Sequence, residues 1–237
     1  MYGGYYGYGY YWDPTYFLVL VGLVLCLGAS ALVNSTMRKY SKVRNMRGLT
    51  GAEAARNILN REGLYNVQIE CLNSDDGDHY DPRTDTVRLS YNNFNGTSVT
   101  AVSVAAHECG HAVQHARAYA PLTMRSKLVP VVSFASNIMT WVLLGGILML
   151  NTFPQLLLAG IILFAMTTLF SFITLPVEIN ASKRALVWLS SSGITNARNH
   201  TQAEDALRSA AYTYVVAALG SLATLVYYIM IFMGRRD

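Results

Sequence analysis

The chain has 237 residues, 52% of them hydrophobic and only 14% charged, with a formal net charge of +4. A soluble globular domain carries about 25% charged residues, so this composition excludes an ordinary soluble domain and points to a membrane protein with one modest soluble part. The small positive charge gathers beside apolar runs, which fits orientation in a bilayer and argues against nucleic-acid binding. Cys26, Cys71 and Cys109 lie far apart and offer no disulfide framework.

Residues 1–15 form a Tyr- and Gly-rich tail that opens MYGGYYGYGYYW. Its rings suit a bilayer interface, and a disordered aromatic tail is the alternative. Residues 16–34 are apolar and long enough to cross a bilayer. Ala29-Ser30-Ala31 resembles a signal-peptide cleavage site. No Lys or Arg precedes the run, however, and Arg38, Lys39, Lys42, Arg44 and Arg47 follow it. We read it as a retained anchor with its N-terminus outside and the basic cluster in the cytoplasm.

Residues 35–128 are expected to form a small α+β domain. Within it, TGAEAARNILNREG (50–63) reads as an amphipathic helix, with Thr50 and Glu53 as a capping box and Gly63 as its terminator. Residues 67–72 alternate like a strand, 73–78 form an acidic turn, and 79–85 lead into a second strand at 86–90. That hairpin would offer an edge to the backbone of a peptide. His79 and the acidic turn could bind a second cation; we read them as a solvated loop.

The helix predicted next, SVTAVSVAAHECGHAVQHA (98–116), has Ser98 or Thr97 as its cap. It contains His107-Glu108-Cys109-Gly110-His111, an HExxH pattern. On a helix, positions i and i+4 share a face, so His107 and His111 can hold one zinc ion while Glu108 reaches the attacking water. The flanking residues are small or apolar, as a buried zincin helix requires. A core helix with two satisfied histidines is the bland alternative. Cys109 points off the metal face and is read as packing.

Residues 129–150 and 156–175 form a membrane hairpin through the uncharged turn NTFPQ. Residues 176–210 are polar and mixed in charge, and 211–237 hold a fourth apolar run that ends in Gly234-Arg235-Arg236-Asp237. With the N-terminus outside, 38–127 and 176–208 share the cytoplasmic side. The fourth span then leaves Arg235 and Arg236 outside, so a helix that does not fully cross is an alternative.

A catalytic zinc takes three protein ligands and keeps one position open. The candidate third ligand is Glu178, in LPVEINASKRA, where Pro176 is expected to open a new helix. Glu178 as a mere partner of the helix dipole is the alternative. His115 is a rival ligand, but Gln114 precedes it, so a His111–His115 pair would lack a base; we assign His115 a supporting role. Tyr119, His200, Tyr212 and Arg125 are candidate donors to an oxyanion.

HECGHAVQHA, HYDPR with VRLS, YAPL with MRS and LVP, and LPVEINASKRA together resemble the neutral zinc metallopeptidase family typified by YugP of bacteria. More distantly the plan is similar to the HtpX-type membrane proteases. The resemblance covers nearly the whole chain. It implies zinc at His107, His111 and Glu178 with Glu108 as general base, and a bacterial cytoplasmic membrane location. The chain departs from it at Asn180, where the resemblance implies that relatives usually carry Asp; if that acid orients a ligand histidine, its hold is weaker here.

The fold expected is therefore mainly α, with about four transmembrane helices and a small zincin-like cytoplasmic domain carrying a short hairpin or sheet. The function expected is a membrane-anchored zinc metallopeptidase acting on peptide or membrane-protein substrates. The alternative is a catalytically silent scaffold with a structural zinc, which would have no need of Glu108. An intramembrane protease ranks third, because the zinc helix is too polar for lipid.

Overall fold

The computed structural model describes residues 14–74 and 77–234. Residues 1–13 of the tyrosine-rich tail, Asp75 and Asp76 of the acidic turn, and Arg235, Arg236 and Asp237 lie outside the described residues. The elements run α1 (Pro14–Tyr40), α2 (Gly51–Arg61), β1 (Gln68–Leu72), β2 (His79–Asp81), β3 (Thr86–Ser90), α3 (Tyr91–Asn95), α4 (Val99–Ala116), α5 (Ala120–Leu148), α6 (Pro154–Ser191) and α7 (Ala197–Met233).

Helices α1, α5, α6 and α7 are each long and apolar enough to cross a bilayer. Large apolar side chains stand on their outer faces, among them Leu27, Phe134, Trp141 and Leu169. Such a surface is stable against lipid and not against water. The chain is thus a mainly α membrane protein. Helix α1 packs along α7, and α5 packs along α6. Glycines set these approaches: a Cβ on Gly146 would stand 2.5 Å from the Cα of Leu157, so only glycine lets α5 and α6 meet there.

Three helices are longer than the apolar runs inside them. Helix α5 begins at Ala120, with Pro121 in its first turn, and so carries Arg125. Helix α7 joins the polar segment and the fourth apolar run into one rod of 37 residues. Helix α6 runs unbroken for 38 residues with Pro176 in its interior. The expectation that Pro176 opens a new helix is therefore corrected. Proline removes one helical hydrogen bond, but packed neighbours hold the helix through it. Glu178 consequently lies far from a helix start, and the dipole gives no account of it.

The sheet also differs from a simple hairpin. Its order is β1-β3-β2, with β1 parallel and β2 antiparallel to β3. The tight hairpin is β2–β3; β1 reaches the far side of β3 only because the chain between them is long enough to cross over. Arg88 of β3 ties the three strands, donating to Asp81 of β2 at 2.8 Å and to Glu70 of β1 at 3.0 Å.

Helix α4 is the centre of the main core. Ser98 caps it by accepting from the Ala101 N–H at 3.1 Å. Val99, Val102, Ala105, Ala106, Cys109 and Val113 are buried, against α2 on one side and α6 on the other. The capping box of α2 forms as its sequence implies: the Glu53 N–H donates to the Thr50 hydroxyl at 3.1 Å, and the Thr50 N–H to the Glu53 carboxylate at 2.8 Å.

Candidate active site

One face of α4 carries Val104, His107, Glu108 and His111, spaced as neighbours on a helix surface. Helix α6 lies against that face and presents Glu178. Nε2 of His107 is 3.2 Å and Nε2 of His111 is 3.5 Å from Oε2 of Glu178. The imidazole rings meet edge to face, with centroids 4.8 Å apart. One donor atom from each of the three residues lies within 4.8 Å of the other two. Among the described residues this is the group that could hold a metal ion. Two imidazole nitrogens and one carboxylate oxygen are a donor set that suits zinc.

The other nitrogen of each ring has a partner. Nδ1 of His107 lies 3.1 Å from the Ser182 hydroxyl, one turn along α6 from Glu178. Nδ1 of His111 lies 3.1 Å from Oε1 of Gln114. The Gln114 amide donates in turn to the carbonyl of Val177 at 2.8 Å and to Oδ1 of Asn180 at 3.0 Å. Contacts of this kind fix ring orientation and leave Nε2 free for a ligand role. Asn180 also accepts from Arg184 at 2.8 Å. It reaches His111 only through Gln114, so the departure from aspartate there does not touch a histidine directly.

The remaining oxygen of Glu178 is engaged as well: Arg125 of α5 donates to Oε1 at 3.2 Å. Glu178 is 3% exposed and Glu108 is 7% exposed. Among the described residues no group donates a hydrogen bond to the Glu108 carboxylate, and Glu108 lines open space. That space is a cavity of about 300 Å³, whose walls include Tyr80 of β2, Arg125 of α5 and Tyr214 of α7 beside His107, Glu108 and Glu178.

Strand β2 forms the rim. His79, Tyr80 and Pro82 line the cavity, and β2 pairs with β3 on its other side. His115 is turned to this strand. Its Nδ1 donates to the Tyr80 hydroxyl at 2.8 Å, because that hydroxyl spends its own proton on Asp85. Burial, and then the Asp85 carboxylate, push the Tyr80 phenol well above its ordinary pKa. His115 thus ties α4 to the sheet. Asp78 accepts from the N–H of Ser90 at 2.7 Å and the amide of Asn93 at 2.8 Å, which anchors the acidic turn. Cys109 faces away from the site, its thiol against the Ala55 carbonyl, and burial pushes its pKa up.

Of the four candidate oxyanion donors, Arg125 alone lines the cavity. His200 contacts Thr195, and Tyr212 accepts from Arg208 on another face of α7. Tyr214 is the residue that sequence reasoning missed. The signal was available in principle: 207, 210, 211 and 214 fall on one helical stripe, and all four line the cavities beside Glu108.

In this helical membrane protein, then, two histidines of one helix converge on a buried glutamate of another. The chain matches the family described as "Putative neutral zinc metallopeptidase" over residues 15–233, and it belongs to that family, whose cofactor is zinc. It is similar to "Putative membrane protease YugP" of Bacillus subtilis (strain 168), with 45% identity over 221 residues, 93% of this chain and 97% of that protein. No solved structure matches the chain.

Proposed function

We propose that the protein is a membrane-anchored zinc peptidase in which His107, His111 and Glu178 hold the metal and Glu108 is the general base. The observation that carries this reading is the His-His-Glu donor set within 4.8 Å beside the buried Glu108 carboxylate, which lines the same cavity.

Zinc, when bound, supplies Lewis acidity, which brings the pKa of a water from about 16 towards about 7 and polarises a carbonyl oxygen. Glu108 then accepts a proton from the attacking water on its carboxylate and delivers one to the leaving amine. Arg125 and Tyr214 line the same cavity and can donate to the oxygen on which charge develops. The outer side of β2 offers backbone N–H and C=O groups to an extended peptide. Ser182 and Gln114 hold the imidazoles so that neither ring must reorganise during the reaction.

The substrate we infer is a peptide or a membrane protein, and the membrane is the bacterial cytoplasmic one. The basic cluster after α1 supports placing residues 35–128 and 176–210 in the cytoplasm, with 16–34, 129–175 and 211–237 as the membrane parts and 1–15 as an outer tail.

Metal analysis and peptide cleavage by the purified protein in detergent test the reading. About one zinc per chain is expected. Glu108→Gln is expected to keep zinc and lose cleavage by about 10²–10⁴-fold, whereas His107→Ala loses both. Cleavage at the parent rate by zinc-loaded Glu108→Gln would overturn Glu108 as the base, and a zinc-loaded parent that cleaves no peptide would favour the other reading, a silent scaffold with a structural zinc.

A further inference from the structure

A second cavity, of about 160 Å³, opens on the far side of His107 and Glu108. It shares His107, Glu108, Glu178 and Tyr214 with the first cavity, so the reacting centre stands between the two. The first is rimmed by β2 and α5. The second is walled by Met37 of α1, Val104 of α4 and the stripe Leu207, Ala210, Ala211 and Tyr214 of α7.

Its chemistry differs from that of its neighbour. Apart from the residues at the reacting centre and Ser182, the lining is aliphatic. Leu207, at 3% exposure, is firmly held in the fold. The space exists because positions 210 and 211, one helical turn on from 207, carry only methyl groups. Its volume is close to that of an apolar cavity of about 150 Å³ that takes a benzene ring. One Leu, Met or Phe side chain therefore fits, and an indole is too large. Among the described residues no Lys or Arg lines it, so it offers no basic partner to an acidic side chain.

We propose that this cavity is the specificity pocket of the peptidase, and that it receives the side chain of one residue flanking the scissile bond and selects Leu, Met or Phe there. The inference rests on the peptidase reading above. It assigns the two cavities separate tasks: the β2 rim holds peptide backbone, and the α1–α7 pocket reads one side chain. A hydrophobic pocket distinguishes side chains differing by one methylene by about 10-fold or more, so Leu over Gly should exceed that.

The test has two arms. In the first, β-casein is digested by the full-length protein in detergent and the cut bonds are mapped by mass spectrometry. In the second, dye-labelled peptides Ala-Ala-Gly-X-Ala-Ala, with X Gly, Ala, Leu, Phe, Trp or Asp, are bound to zinc-loaded Glu108→Gln and followed by fluorescence anisotropy. Each arm is repeated with Ala211→Leu, which fills the pocket, and with Met37→Ala, which enlarges it. The expected result is Leu, Met and Phe enriched on one side of the cut, and Leu and Phe peptides bound more than about 10-fold more tightly than Gly. Ala211→Leu should move both preferences towards Ala and Gly, and Met37→Ala should admit Trp. Cleavage and binding with preferences that neither variant moves would overturn the pocket and leave the peptidase reading standing. Graded, variant-sensitive binding with no cleavage by the parent would support the pocket and overturn the peptidase reading. Neither cleavage nor graded binding would overturn both.

Discussion

Gly110 lies so close to Ala181 that a Cβ on the glycine would stand 2.9 Å from both the Cα and the carbonyl oxygen of Ala181. The contact is between α4 and α6, one residue before His111 and one helical turn after Glu178. It sets the distance at which a carboxylate on one helix meets two imidazoles on the other.

Gly110→Ala is therefore expected to push the two helices apart and to loosen the donor set. Overpacking of this kind costs about 1–3 kcal/mol. A lower thermal midpoint and a lower zinc content per chain, measured on the same detergent-purified sample, are the expected outcomes. Unchanged zinc content with an unchanged midpoint would mean that α6 yields freely at Ala181.

Gln114 is the second device that positions the donors. It is fully buried and links His111 to the backbone of α6. Gln114→Ala should weaken zinc binding by about 10–100-fold, read by competition with a chromogenic chelator. Gln114→Glu keeps an acceptor for the His111 Nδ1 proton and should recover part of the affinity. Equal affinities for the parent and Gln114→Ala would remove Gln114 from this role.

The orientation in the membrane makes its own prediction. Lys42 follows α1 directly and is exposed. A single cysteine at Lys42, in a chain with Cys26, Cys71 and Cys109 replaced, should react with a membrane-impermeant maleimide only after the cells are opened. Reaction in intact cells would put the proposed site on the outer face.

Asp81 gives the sheet a defined acid response. It accepts from the Arg83 N–H at 2.9 Å and from Arg88 at 2.8 Å. These donors outweigh its partial burial and hold its carboxyl well below the usual carboxylate range. A depressed folded-state pKa stabilises the fold at every pH above the unfolded value of about 3.9. That stabilisation is lost as pH falls through the lower folded value. Asp81→Asn should therefore be less stable than the parent at pH 7, and the gap should close below about pH 4. Thermal unfolding across pH 7 to pH 2.5 measures it; a gap that stays constant into acid would rule the carboxylate out.

Much of this protein was legible from local spacing. The HExxH helix, its Ser98 cap, the Thr50–Glu53 box and the apolar runs depend on contacts between residues within a turn or two of each other, and such contacts are written directly in the order of residues. Lipid requires backbone groups to be satisfied within each segment, so the four apolar runs announced helices whatever their neighbours.

The tertiary structure decided what depends on distant partners. Pro176 is a helix breaker by its own chemistry, yet α6 passes through it because neighbouring helices hold both sides. Tyr214, and not Tyr212, enters the cavity because the rotation of α7 about its axis is set by its packing on α1, α4 and α6. Strand β1 joins β3 in parallel, a pairing that no local pattern specifies. The approach of Glu178 to His107 and His111 rests on the missing side chain of Gly110 facing Ala181, and the second cavity rests on the methyl groups of Ala210 and Ala211. A small residue records that room is needed; only the folded chain says what comes to occupy it.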